Sequence, residues 1–196
     1  KKIHGFSPAL RALDLQVQAY REGRLSLGSY IDRLVSLSRG PPSPMARAFA
    51  EVLRRERALD FKRVEVERSR LIDGLAQKLT PFERDALLTQ SVAYRSGDLG
   101  YADYYDRLKT LCQEKGVALA NYPAMDAYVR YVLLADGIDA ESLFDEMAAM
   151  EKKAYAGLSA TREERTLVAR SRQEWLAGKL VEFSLTPAEW EEYRSS

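Results

Sequence analysis

Few side chains in this 196-residue sequence could do acid–base, nucleophilic or metal chemistry. His4 is the only histidine and Cys112 the only cysteine. A zinc set built on His and Cys cannot be assembled from two such residues. A Ser–His–acid triad would have to recruit His4, and no nucleophile-elbow motif accompanies it. Carboxylates are the remaining ligands. Asp103 and Asp106 share a helix face at a spacing of three, and Glu141 and Asp145 at a spacing of four, so either pair could hold Mg²⁺ through waters. Asp106 is followed by Arg107, however, as Asp32 is by Arg33, the pattern of a recurrent structural ion pair. The glycines stand singly, so no phosphate-cradling loop is present. The expectation is a non-enzymatic protein with no catalytic residue, no cofactor and no metal ligand.

Binding chemistry is better represented. Tyr101, Tyr104, Tyr105, Tyr122, Tyr128 and Tyr131 cluster along the second half of the chain. Tyrosine joins a large apolar ring to a hydrogen-bonding tip, so these six are the expected groove for a protein or peptide partner. A second, weaker candidate is nucleic acid, through the basic run that includes Arg54, Arg55, Lys62, Arg63 and Arg70. Glu51, Glu56, Asp60, Glu65 and Glu67 are interleaved with it at intrahelical pairing distance, which favours a salt-bridged helix surface. A pocket for a small molecule between helices is the third reading.

These residues sit in an all-α pattern with no convincing strand alternation. Nine helices are expected, at 8–22, 27–38, 44–79, 81–96, 101–115, 123–136, 140–156, 162–177 and 187–194. Ser7-Pro8 and Ser43-Pro44 place a hydroxyl before a first-turn proline. Thr80-Pro81-Phe82-Glu83, Thr161-Arg162-Glu163-Glu164 and Thr186-Pro187-Ala188-Glu189 read as capping boxes. Gly23, Gly40, Gly97, Gly116, Gly137, Gly157 and Gly178 are the expected helix stops.

A degenerate repeat runs through these elements. Tyr20-Arg21-Glu22-Gly23-Arg24-Leu25 followed by Tyr30-Ile31-Asp32-Arg33-Leu34 returns as Tyr94-Arg95-Ser96-Gly97-Asp98-Leu99 followed by Tyr104-Tyr105-Asp106-Arg107-Leu108. Pro44-Met45-Ala46-Arg47-Ala48-Phe49-Ala50 is echoed by Pro123-Ala124-Met125-Asp126-Ala127-Tyr128-Val129. Stacked helical hairpins are therefore expected around one long central helix, 44–79. If 74 residues hold two hairpins, a turn is missing near Asp60, within that helix. Its two apolar stripes imply two packing partners: the chain's own hairpins and a second subunit, with a domain-swapped helix as a variant. Phe49, Val52, Leu59 and Val66 form the stripe assigned to a homodimer. The expected divisions are 1–79, 80–157 and 158–196, as parts of one continuous domain.

Ala93-Tyr94-Arg95-Ser96-Gly97-Asp98-Leu99, with Ala102 five residues after the glycine, resembles the turn of a tetratricopeptide hairpin. Asp106 and Lys109 stand where that motif has a large apolar and a small residue. The resemblance implies a superhelical scaffold that binds peptides or partner proteins.

Composition adds little to the choice. Net charge is +1, but residues 1–80 carry 16 Lys and Arg against 9 Asp and Glu, and residues 81–196 carry 14 against 20. Such polarity pairs the two halves, or steers an anionic partner to one of them. No apolar run approaches the ~20 residues of a membrane helix. The sequence opens at Lys1 rather than Met, so a removed leader or a further upstream domain is expected. The cytoplasm is favoured slightly over export.

Overall fold

The computed structural model describes residues 5–38 and 40–195, and His4 lies outside them. Among these residues there are ten α-helices and no strand: α1 (Pro8–Arg21), α2 (Leu27–Leu37), α3 (Pro44–Ala58), α4 (Phe61–Ala76), α5 (Pro81–Ser96), α6 (Tyr101–Glu114), α7 (Pro123–Asp136), α8 (Ala140–Leu158), α9 (Arg162–Val181) and α10 (Pro187–Ser195). One 3₁₀ turn, Leu119–Asn121, precedes α7.

The long helix 44–79 does not exist. Leu59 is extended at ψ 131°, and Asp60 starts a new helix, its carboxylate accepting from the Arg63 amide at 3.1 Å. An Asp at this position competes for the backbone as an N-cap, which is enough to break a helix that no Gly or Pro interrupts. The chain thus changes helix at Leu59–Asp60. A domain-swapped rod based on 44–79 falls with the long helix.

Helix ends follow local chemistry. Thr80 with Glu83 and Thr161 with Glu164 form complete capping boxes, and Thr186 exchanges the equivalent bonds with Glu189. Gly97 closes α5 at φ 84°, a left-handed conformation that costs a residue without Cβ little. Two expected stops are corrected: Gly157 and Gly178 lie inside α8 and α9. The left-handed residue that ends α9 is Phe183 at φ 54°, with the Ser184 amide bonding back to the Lys179 carbonyl at 2.9 Å. Ser7 and Ser43 make no side-chain cap either. At α3 a carboxylate from a distant helix takes that role, as described below.

The chain groups into two compact units, Lys1–Pro41 with Met147–Ser196, and Pro42–Glu146. These boundaries differ from the divisions at 79/80 and 157/158 suggested by the sequence, and α8 runs across one of them.

In the central unit, Pro42–Glu146, the hub is α7, which packs on α3, α4 and α6, while α5 packs on α6. Val64, Leu71 and Leu75 of α4 bury themselves with Tyr105 and Leu108 of α6 and Met125 of α7. Each such side chain contributes about 1.5–3 kcal/mol on burial.

In the outer unit, α1 packs on α2 and α9 on α10. Glu151 accepts from Arg21 at 2.7 Å and from the Tyr30 hydroxyl at 2.5 Å, and Asp14 accepts from the Tyr155 hydroxyl at 2.9 Å. Burial first, and then the Glu151 carboxylate, push the Tyr30 phenol well above its ordinary range. Trp175 is surrounded by cations: Arg21, Arg172 and Lys179 lie 4.0, 4.5 and 4.8 Å from its ring centre.

Candidate functional site

Two carboxylates organise the central unit. Glu67, on α4, accepts from the amides of Ala124 and Met125 at 2.7 and 3.1 Å, and from Arg63 at 2.8 Å. Glu146, on α8, accepts from the amides of Met45 and Ala46 at 2.9 and 3.2 Å. Both target helices begin with Pro, so their next two amides are the first that need an acceptor. A negative group at that end is also favoured by the helix dipole. Burial pushes the Glu67 carboxyl up, but Arg63 and the two amides together outweigh it and hold the group below the usual carboxylate range.

With α7 fixed at its start, one of its faces is presented beside α6. Tyr128, Tyr131, Val132 and Ala135 recur at helical spacing on that face, and Tyr101 and Ala102 come from the first turn of α6. Together with Asp136 they line an open cup of about 240 Å³. Phe61, the first residue of α4, stands edge-on to Tyr128 at 6.4 Å.

Behind the cup the tyrosines form a continuous stack. Tyr94 of α5 lies parallel to Tyr104 at 4.5 Å and edge-on to Tyr101 and Tyr105 at 5.1 and 5.7 Å. Tyr105 meets Tyr128 at 5.2 Å, and Tyr128 meets Tyr131 at 6.1 Å. The Arg68 guanidinium sits 5.8 Å from the Tyr105 ring and 5.6 Å from the Tyr128 ring, and Glu65 pairs with it at 2.8 Å. Burial pushes the Tyr105, Tyr128 and Tyr131 phenols up. They stay protonated at neutral pH.

The structure therefore links five of the six tyrosines singled out in the sequence. Tyr104 and Tyr105 are buried, so they support the cup and do not line it. Tyr122 has no ring contact in this stack; its hydroxyl lies against Gly74. Sequence reasoning missed Tyr94, which joins the two arms of the stack. Its place opposite Tyr104 across a Gly turn was the available signal.

The other candidates are dispersed. Val52 is buried, Phe49 and Leu59 are half-buried, and Val66 is 51% exposed. With the helix broken at Leu59–Asp60, the four do not form one stripe. Arg54 and Arg55 both pair with Glu51, and Arg63 with Glu67. Lys62 and Arg70 are exposed, and no continuous basic rod carries them. Asp103, Asp106, Glu141 and Asp145 are exposed. Among the described residues no group of three or more His, Cys, Asp or Glu side chains converges, and no helix is long and apolar enough to cross a membrane.

No family model, curated protein or solved structure matches the chain. The site must therefore be read from its own chemistry. A second, wider hollow of about 530 Å³ lies by the α6–α7 connection, lined by Lys109, Cys112, Asp126 and Arg130 among others. Asp126 and Arg130 pair with each other at 2.8 Å, and burial pushes the Cys112 thiol up to about 11. That thiol is therefore buried and neutral at physiological pH and is not an activated nucleophile.

Proposed function

We propose that this protein is a non-enzymatic helical interaction module whose tyrosine cup takes a cationic side chain, lysine or arginine, from a partner protein. The observation that carries this reading is the lining itself: three tyrosine rings and one carboxylate, Asp136, around a single opening. Ring faces attract a cation by their quadrupole, worth about 0.5–1 kcal/mol at an exposed site and about 2 kcal/mol when desolvated. The cup is smaller than the ~300 Å³ at which drug-sized pockets begin, but suits one alkylammonium or guanidinium group. Arg68 against Tyr105 and Tyr128 is an internal precedent for the same contact.

The architecture we assign is a stack of degenerate helical hairpins. Phe61 and Ala140 open α4 and α8, and they are separated by the same 79 positions as Pro44 and Pro123, and as Glu67 and Glu146. Supporting this, Leu27 and Tyr101 open α2 and α6 in the register of the 74-residue echo.

The test is an NMR titration with a short lysine peptide, its ε-acetyl-lysine counterpart and the glutamate analogue. Binding of the lysine peptide alone is expected, weakened about fivefold or more by Asp136→Asn and by Tyr131→Ala. Equal shifts from the acetylated peptide, or no shift at millimolar peptide, would overturn the reading.

A further inference from the structure

The outward face of α5 is uncovered and has an unusual order. At 100° per residue, Asp85, Leu88, Val92 and Arg95 fall within an arc of ~80°. Leu88 and Val92 are 65% and 59% exposed, and Asp85 and Arg95 are exposed as well. Among the described residues the Asp85 carboxylate and the Arg95 guanidinium have no ion pair within the chain. α5 packs on α6 and turns this face away from the core residue Leu87.

The order along the face is acid, apolar, apolar, base, and it is symmetric about residue 90. A twofold axis there, perpendicular to an antiparallel pair of α5 helices, brings Leu88 level with Val92 of the other copy. The same axis brings Asp85 level with Arg95 of the other copy, about 7.5 Å along the helix on either side. A closed twofold interface requires a self-complementary patch of this kind. We propose that the occupant of this face is a second copy of this chain, docked through α5 against α5 in antiparallel fashion. A parallel pair would set Asp85 against Asp85 and Arg95 against Arg95, so the charges select the orientation as well as the partner. The proposal does not depend on the tyrosine cup.

One helix face is small against the 1,200–2,000 Å² of a typical stable complex, so the dimer belongs to the weak class, with a dissociation constant on the order of 100 µM. Sedimentation equilibrium of the full chain from 10 µM to 1 mM tests it. Asp85→Lys alone and Arg95→Glu alone each place like charges together twice in the interface, and should weaken dimerisation about tenfold. The double variant restores both pairs with their signs exchanged, and should recover the wild-type constant. Leu88→Asp should leave a monomer. All four positions are exposed, so helicity by circular dichroism should hold in every variant. A chain that stays monomeric at 1 mM overturns the proposal. So does a dimer indifferent to the single charge changes, or one that the double variant fails to restore; these outcomes place the contact elsewhere or assign the face to another protein.

Discussion

Glu67 and Glu146 exchange caps. Glu67 follows α3 in the chain and holds the amides of Ala124 and Met125 on α7; Glu146 follows α7 and holds those of Met45 and Ala46 on α3. Each half of the central unit thus supplies the acceptor that the other half's proline-led helix lacks. Glu67→Ala should cost about 2 kcal/mol, since two amides and Arg63 lose a charged acceptor together. Glu146→Ala should cost about 1 kcal/mol, in the range of an ordinary cap. Glu174→Ala, which removes an exposed pair with Arg170, should change stability by less than ~0.5 kcal/mol. Urea unfolding of the three variants checks the order.

Acid should loosen the protein in a defined window. Glu164 accepts from the Ser7, Ala160 and Thr161 amides, and these bonds, Ser7 first, hold its carboxyl down to about 2. Glu83, held chiefly by Lys115 and then by Thr80, is likewise lowered to about 2. Unfolded, both take up protons near 4.5. Their contribution is therefore complete above about pH 4.5 and is lost as pH falls towards 2, where the folded chain finally protonates. Urea midpoints measured from pH 6 to pH 2 should decline through that window, and Glu164→Gln should flatten part of the decline.

Cys112 should report on opening of the central unit. Its thiol is buried and pushed up to about 11 from an ordinary 9.0. At pH 8 the thiolate fraction is then about 100-fold below that of an unfolded chain. A chromogenic disulfide reagent should react at least that much more slowly with native protein than in urea. Fast native labelling would show that α6 opens readily.

Trp175 should be worth more than its area. Three cations share its ring, and each also pairs with a carboxylate: Arg21 with Glu151, Arg172 with Glu192 and Lys179 with Glu189. Trp175→Leu keeps an apolar group but loses the quadrupole, and should cost about 1–2 kcal/mol. A double-mutant cycle with Arg21→Met should show coupling of about 0.5–1 kcal/mol.

Much of the fold was legible because helix termini are written locally. Thr80 with Glu83 and Gly97 each specify an end through bonds made within a few residues, Pro123 specifies one by its fixed φ, and the observed helices start or stop there. The break at Leu59–Asp60 was harder to see. An N-cap Asp inside a run of strong helix formers looks like one more charged surface residue until its bond to Arg63 is drawn. Gly178 misled for the opposite reason: nothing lies near its Cβ position, and the helix runs past it to Val181. The tyrosine cluster was legible as a composition, because α7 carries its rings at helical spacing. Which rings would be buried was not, since that depends on α5 placing Tyr94 over Tyr104. The caps from Glu67 and Glu146 span 57 to 101 residues, and no local pattern announces a bond of that reach.

The outer unit is built from two stretches, Lys1–Pro41 and Met147–Ser196, with the whole central unit between them in sequence. During synthesis the first stretch emerges and then waits while the ribosome adds everything up to Glu146, roughly 5 to 20 s at ordinary elongation speeds. Throughout that interval Leu10, Leu13 and Val17, which end almost fully enclosed, have nothing of the second stretch to close over them. The central unit is contiguous and can mature on its own schedule. The apolar face of α1 thus stays open to chaperones and to premature association until the second stretch has been made.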